Sequence, residues 1–215
     1  MNNVMQTILQ HKLIAIIRSD SITDIENIVA ALHDAGIKAV EVTMNTPDAL
    51  KAIELLSRKY RSSDLLIGAG TVLEGTTARL AILSGASFLL SPTLDQSLIE
   101  TANRYQVPVI PGVFTPTEVL RAFEWGAQAV KIFPASTVGP RYIKELKAPL
   151  SHVNMIPVGG VNLDNVKDYL QAGSFAVGVG SSLVSASLVK QKDFEEIRLR
   201  ASAFVNLIDG MKNTD

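Results

Sequence analysis

Trp125-Gly126-Ala127-Gln128-Ala129-Val130-Lys131-Ile132-Phe133-Pro134 puts a helix stop, an apolar β-prone run and a breaker into ten residues. Gly126 stands where helices commonly end, and Pro134 cannot donate to a strand ladder. In a strand, alternate side chains point to opposite faces. Ala129, Lys131 and Phe133 then share one face, and Val130 and Ile132 share the other. Lys131 apart, both faces are apolar, the pattern of a parallel strand covered by helices on both sides. A lysine in that setting must be paired, neutralised or led to solvent. Two readings stay open: a structural ion pair or solvent-seeking lysine, or a desolvated amine whose lowered pKa makes it a nucleophile toward a carbonyl carbon.

The same grammar recurs at 35–42 (AGIKAVEV), 84–91 (SGASFLLS) and 172–179 (AGSFAVGV), a weak repeat on the scale of one β/α unit. Eight strand candidates begin near 13, 38, 65, 87, 107, 128, 153 and 174, and helical patterns separate them. Thr23 to Glu26 reads as a capping box, Thr46-Pro47 as a helix start, and Thr115-Pro116-Thr117-Glu118 as N-cap, N1 proline and capping glutamate. Alternating β/α units predict a parallel sheet, which closes into a (β/α)8 TIM barrel. That α/β barrel would be one domain over 1–215, preceded by an amphipathic helix over 1–12. An open doubly wound sheet is the alternative. No G-x-G-x-x-G follows the first strand, and the glycine-rich turns come late, where barrels commonly hold a phosphate.

Composition narrows the function. Among 215 residues, 47% are hydrophobic and 19% charged, and the net charge is −1, so a basic nucleic-acid stripe is not expected. The absence of cysteine excludes disulfides, thiolate metal sites and cysteine nucleophiles. No signal-peptide layout or membrane-length apolar run occurs, which predicts a cytoplasmic protein.

A barrel's site lies at the C-terminal ends of its strands. Those ends carry Arg18, then Glu41 with Thr43 and Asn45, Thr71, Ser91-Pro92, Pro111, Lys131, Val158-Gly159-Gly160 and Gly180-Ser181-Ser182. By alternation, Glu41 goes with Ala39 and Thr43, Thr71 with Ala69 and Ile67, and Arg18 with Ile16 and Ile14. On that parity the four polar groups enter the lumen near its mouth. Glu41 is the natural partner of Lys131, as a buried salt-bridge partner or as a general acid/base with a raised pKa. Arg18 offers a fork suited to a carboxylate, or forms an ordinary ion pair. The glycine turns let backbone N–H groups approach an anion, and a helix starting near Ser181 would add its dipole. His11, His33 and His152 end no strand, so no metal site is expected at the mouth.

The segments EVTMNTP (41–47), GAGTVL (68–73), SPTL (91–94), IPG (110–112), KIFPAS (131–136), PVGGV (157–161) and GVGSSLV (178–184), in that order, resemble the 2-keto-3-deoxy-6-phosphogluconate / 4-hydroxy-2-oxoglutarate aldolases. The resemblance implies a homotrimeric, cofactor-free class I aldolase. It implies that Lys131 forms a Schiff base with the 2-keto carbon and that Glu41 moves protons. Thr71 would line the pyruvate pocket, among Pro92 and Phe133 of the matched segments, while Gly159, Gly160, Gly180 and Ser181 would hold a phosphate. Asn45 replaces the arginine of the gluconate-type EVTLRT motif, and Val158 replaces a threonine. Together with GPRYIK (139–144), these resemble the 2-keto-3-deoxy-6-phosphogalactonate aldolases, in which an arginine ending strand 1, here Arg18, serves the carboxylate. The implied substrate is a 2-keto-3-deoxy-6-phospho sugar acid, cleaved to pyruvate and glyceraldehyde 3-phosphate, and possible substrates extend to 4-hydroxy-2-oxoglutarate. Neither nucleic acid nor membrane is an expected partner. The alternatives are a phosphate-binding barrel isomerase or epimerase without a covalent intermediate, and a non-catalytic sugar-phosphate-binding barrel.

Overall fold

The computed structural model describes residues 3–212. It is an α/β fold in which every strand pairing is parallel. The chain runs through α1 (Asn3–His11), β1 (Leu13–Ile17), α2 (Ile22–Asp34), β2 (Ala39–Thr43), α3 (Ala49–Lys59), β3 (Leu66–Gly70) and α4 (Gly75–Leu83). It continues with β4 (Leu89–Leu90), α5 (Gln96–Arg104), β5 (Val109–Ile110), β6 (Gly112–Val113), α6 (Pro116–Glu124) and β7 (Val130–Ile132). A 3-10 turn (Ala135–Thr137), α7 (Gly139–Lys147), β8 (Met155–Pro157), α8 (Val166–Gln171), β9 (Val177–Val179), α9 (Ala186–Gln191) and α10 (Phe194–Lys212) complete it. Residues 1 and 2 of the helix expected over 1–12 lie outside the described residues.

The ladder differs from the single closed sheet expected. It consists of a six-stranded sheet, β5-β4-β3-β2-β1-β9, and a three-stranded sheet, β6-β7-β8. The fifth expected strand pairs with β4 (Leu90 opposite Ile110) and ends before Pro111, which has no N–H to give. Beyond it the chain resumes as β6, a strand not expected from the sequence, which pairs with β7 (Gly112 opposite Lys131). The Pro111 carbonyl still accepts the Lys131 N–H at 2.8 Å. Between β8 and β9 there is one bridge, Val158 to Gly178, and the Phe175 N–H donates to the Met155 carbonyl.

Strand alternation creates two apolar cores. Leu13, Ala15, Ile17, Val40, Val42, Ile67, Ala69, Val130 and Ile132 pack outward against the helices. Ile14, Ala39, Phe88, Leu90, Ile110, Ala129, Ile156 and Val158 form a separate inner cluster, which Met5 and Ile8 of α1 join. Two inward glycines make space there. A Cβ on Gly68 would lie 2.4 Å from the Phe88 ring, and one on Gly70 would overlap the Glu41 carboxylate.

Some helices start at the expected cap and others do not. Thr115 and Glu118 form the expected capping box of α6. The cap of α2 is Ser21, which accepts from the Asp24 N–H, rather than Thr23 with Glu26. Helix α3 starts at Ala49, because Thr46 is held by Thr43 (3.2 Å) and Asp48 takes a left-handed backbone. Filling the Gly68 space with a methyl group should cost about 1–3 kcal/mol through overpacking. Chemical denaturation of Gly68→Ala should show that loss.

Candidate active site

Lys131 is the middle residue of β7 and is 5% exposed; Glu41, in β2, is 1% exposed. Ile16, Glu41 and Gly68 lie in one register row, and Gly112, Lys131 and Ile156 in another. Burial pushes the Lys131 amine below the usual lysine range; Glu41 opposes this and Arg18 adds to it. Burial likewise pushes the Glu41 carboxyl upward, against Lys131 and Arg18. The buried ion pair that the sequence left open is not formed: among the described residues no contact within 4.0 Å joins the two groups. Oε2 of Glu41 is buried without a hydrogen-bond partner. The Lys131 Nζ instead lies 4.7 Å from the centre of the Phe133 ring, which is half-buried. The pair therefore supplies an amine biased toward its neutral form and a carboxyl biased toward its protonated form within one apolar interior.

The remaining candidates divide between two openings. Arg18, Gly180 and Ser181 line a groove of about 690 Å³, together with Ile16 and the buried Ser19. Asn45 and Thr71 line a second opening of about 640 Å³, with Met44, Leu73, Glu74 and Thr77. Arg18 is exposed and belongs to none of the ion pairs among the described residues, so the ordinary ion-pair reading fails there too.

Three expectations need correction. Thr71 does not continue β3: its residue-mates Ile67 and Ala69 face the outer core, and a φ of +55° at Thr71 breaks the alternation and aims it at the second opening. Thr43 is on the inner face, but its hydroxyl is engaged by the Ile17 carbonyl (3.3 Å) and Thr46. No helix starts at Ser181. Residues 181–183 are a turn held by the Gly180 carbonyl, and the six-residue α9 begins at Ala186 behind its Ser185 cap, so there is no helix dipole at Ser181.

The glycine turn after β8 is as expected. Gly159 and Gly160 have φ of +99° and +76°, values that favour glycine. A Cβ on Gly160 would also meet the Ser136 Cβ at 2.6 Å. Val158, just before them, is buried on the inner face. The Ser182 hydroxyl is used by the Val161 carbonyl (2.9 Å), whereas Ser181 is exposed. Pro92 is half-buried, and its backbone packs where Gly112 has no side chain. Sequence reading missed Gly70, without which Glu41 could not lie across β3; glycines two apart on one strand face beside a buried acid were the signal. It also missed Ser19, for which the sequence offers no signal. Among the described residues no cluster of three or more His, Asp or Glu side chains is placed to hold a metal ion, and no helix is long and apolar enough to cross a membrane.

The family model for KDPG and KHG aldolase matches residues 4–199. The 2-dehydro-3-deoxy-6-phosphogalactonate aldolase of Escherichia coli K12 is 38% identical over 194 residues, covering 90% of this chain and 92% of the relative. The 2-dehydro-3-deoxy-phosphogluconate aldolase of Haemophilus influenzae is 31% identical over 206 residues, covering 95% and 96%. Among solved structures, the KDPG aldolase of Legionella pneumophila, with pyruvate captured as a covalent carbinolamine, has a TM-score of 0.87 at 30% identity, covering 93% of this chain and 97% of that one. A native KDPGal structure has a TM-score of 0.86 at 37% identity, covering 92% and 94%. With a lysine and a carboxyl buried mid-strand on β7 and β2, and with these relatives matched almost end to end, the chain belongs to the KDPG and KHG aldolase family.

Proposed function

We propose that the chain is a class I aldolase that reversibly cleaves a 2-keto-3-deoxy-6-phospho sugar acid to pyruvate and glyceraldehyde 3-phosphate, with 4-hydroxy-2-oxoglutarate as a second substrate giving pyruvate and glyoxylate. The observation that carries this is the buried Lys131 and Glu41, shifted in opposite directions and not in contact. The neutral Lys131 amine adds to the C2 carbonyl to give a carbinolamine. Protonated Glu41 gives its proton to the departing hydroxyl, which leaves as water, and an iminium remains. The Glu41 carboxylate then takes the C4 hydroxyl proton. The C3–C4 bond breaks, its electrons flow into the iminium, and the aldehyde departs. Protonation of the enamine at C3 and hydrolysis return pyruvate and the free amine.

In this reading Arg18 pairs with the substrate carboxylate, Thr71 and Phe133 border the pyruvate end, and Pro92 shapes the wall beside them. Gly159, Gly160, Gly180 and Ser181 hold the phosphate through backbone N–H groups and the serine hydroxyl. Asn45 and Val158 assign the galactonate-type epimer, which the 38% identity to a phosphogalactonate enzyme supports. The two sheets are read as arcs of one (β/α)8 barrel within a single domain over 1–215, supported by the bridge between Val158 and Gly178 and by the succession of β5 and β6 on either side of Pro111. The chain works as a homotrimer in this reading. A cyclic trimer joins two different patches, and Leu80 and Leu83 on α4 and Leu120 and Phe123 on α6 are exposed apolar candidates.

Incubation with pyruvate and borohydride should place a reduced pyruvyl adduct on Lys131. Lys131→Ala should lose the adduct and roughly 10³-fold or more of kcat; retained activity would overturn the mechanism, and an unmodified wild-type chain would favour the isomerase or silent binder. Adduct formation needs the neutral amine, so its rate rises as pH passes the Lys131 pKa. Glu41 holds that pKa up, so Glu41→Gln should move the rise to lower pH; Arg18 pushes it down, so Arg18→Gln at saturating pyruvate should move it to higher pH. Leu83→Asp should turn a trimer into smaller species by light scattering; an unchanged mass would remove α4 from the interface.

A further inference from the structure

We infer that Tyr142, which lies on α7 outside the site, is a positioning residue for Lys131: its hydroxyl holds the loop after β6 against the strand that carries the amine. The inference rests on the aldolase reading above.

The ladder beside Lys131 is short. Strand β6 has two residues, and they pair with Lys131 and Ile132. The Val113 carbonyl accepts the Phe133 N–H at 3.1 Å, and the Phe133 ring lies 4.7 Å from the lysine Nζ. So short a ladder frays unless its far end is anchored. The next residue, Phe114, provides that anchor. Its N–H donates to the Glu118 carboxylate at 2.8 Å, and its carbonyl accepts the Tyr142 hydroxyl. The Phe114 and Tyr142 rings also pack, with centroids 5.9 Å apart and planes tilted by 31°.

Tyr142 thus ties the loop leaving β6 to the helix that follows β7, so the two segments flanking Lys131 move as one. Burial raises the phenol above its ordinary value, so it keeps the proton it donates across the working pH range. Releasing this tie lets the end of β6 part from β7 at Phe133, the side chain against which the amine is set. A misplacement of the nucleophile slows its attack even where substrate binding persists.

Tyr142→Phe removes the hydroxyl and keeps the ring, and Asp95→Ala removes the α5 cap, whose carboxylate accepts the Leu98 N–H at 2.7 Å, without touching Phe114, Glu118 or Tyr142. Borohydride trapping of pyruvate on Lys131 should slow about 5- to 20-fold in Tyr142→Phe at saturating pyruvate, with the KM for pyruvate changed by less than about twofold. Asp95→Ala should lower the thermal midpoint but trap at the wild-type rate. Wild-type trapping by Tyr142→Phe, or equal slowing in both variants, would overturn the positioning role. Absence of any wild-type adduct would instead overturn the aldolase reading and this inference with it.

Discussion

A lysine and a glutamate share one apolar interior without touching, and much of the molecule's construction follows from keeping them there. Each group is disfavoured in its charged form by burial. The thermodynamic sign is adverse for both. The folded-state pKa of Glu41 is raised, so folding loses stability as pH rises above the ordinary glutamate value. That of Lys131 is lowered, so folding loses stability as pH falls below the ordinary lysine value. Near neutrality the fold carries both penalties at once. A closer ion pair would relieve them, but it would leave the amine protonated and the carboxyl ionised, the two states least suited to carbonyl addition and proton donation.

That separation is set by small residues more than by polar ones. Gly70 lets the Glu41 side chain lie across β3, and Gly68 makes space for the Phe88 ring beneath. The glycines are therefore as much part of the site as the acid. The surrounding polar groups are divided between two openings: the charged and hydroxyl groups at Arg18 and Ser181 share one groove, and Asn45 and Thr71 face a separate one.

Much of this was legible in the residues. The repeated Gly-then-apolar-strand units give the parallel α/β order, and the parity of 129–133 and 39–43 turns Lys131 and Glu41 to one side. What failed were places where one residue departs from ideal geometry. Parity sends Thr71 to the wrong face, and only its left-handed backbone redirects it. Pro111 reads as the end of the fifth strand, yet pairing resumes at Gly112 and Val113 with a different neighbour, because the loss of one donor says nothing about what the chain joins beyond it. The turn at Ser181 resembles a helix start because small residues and hydroxyls serve both. The distance between Lys131 and Glu41 depends on side-chain packing that no spacing rule encodes.

Met5 and Ile8 close the inner core at the end opposite the site, where they join Phe175 and Ala176 from the last strand region. Their seat is built in part by residues far along the chain, so it does not exist until the last strand region has been laid down. The docking of the first helix is therefore a contact of high sequence separation, late to form. The apolar cluster that holds Ala129 and Phe133, neighbours of Lys131 on its own face of the strand, is complete only when the first helix takes its place.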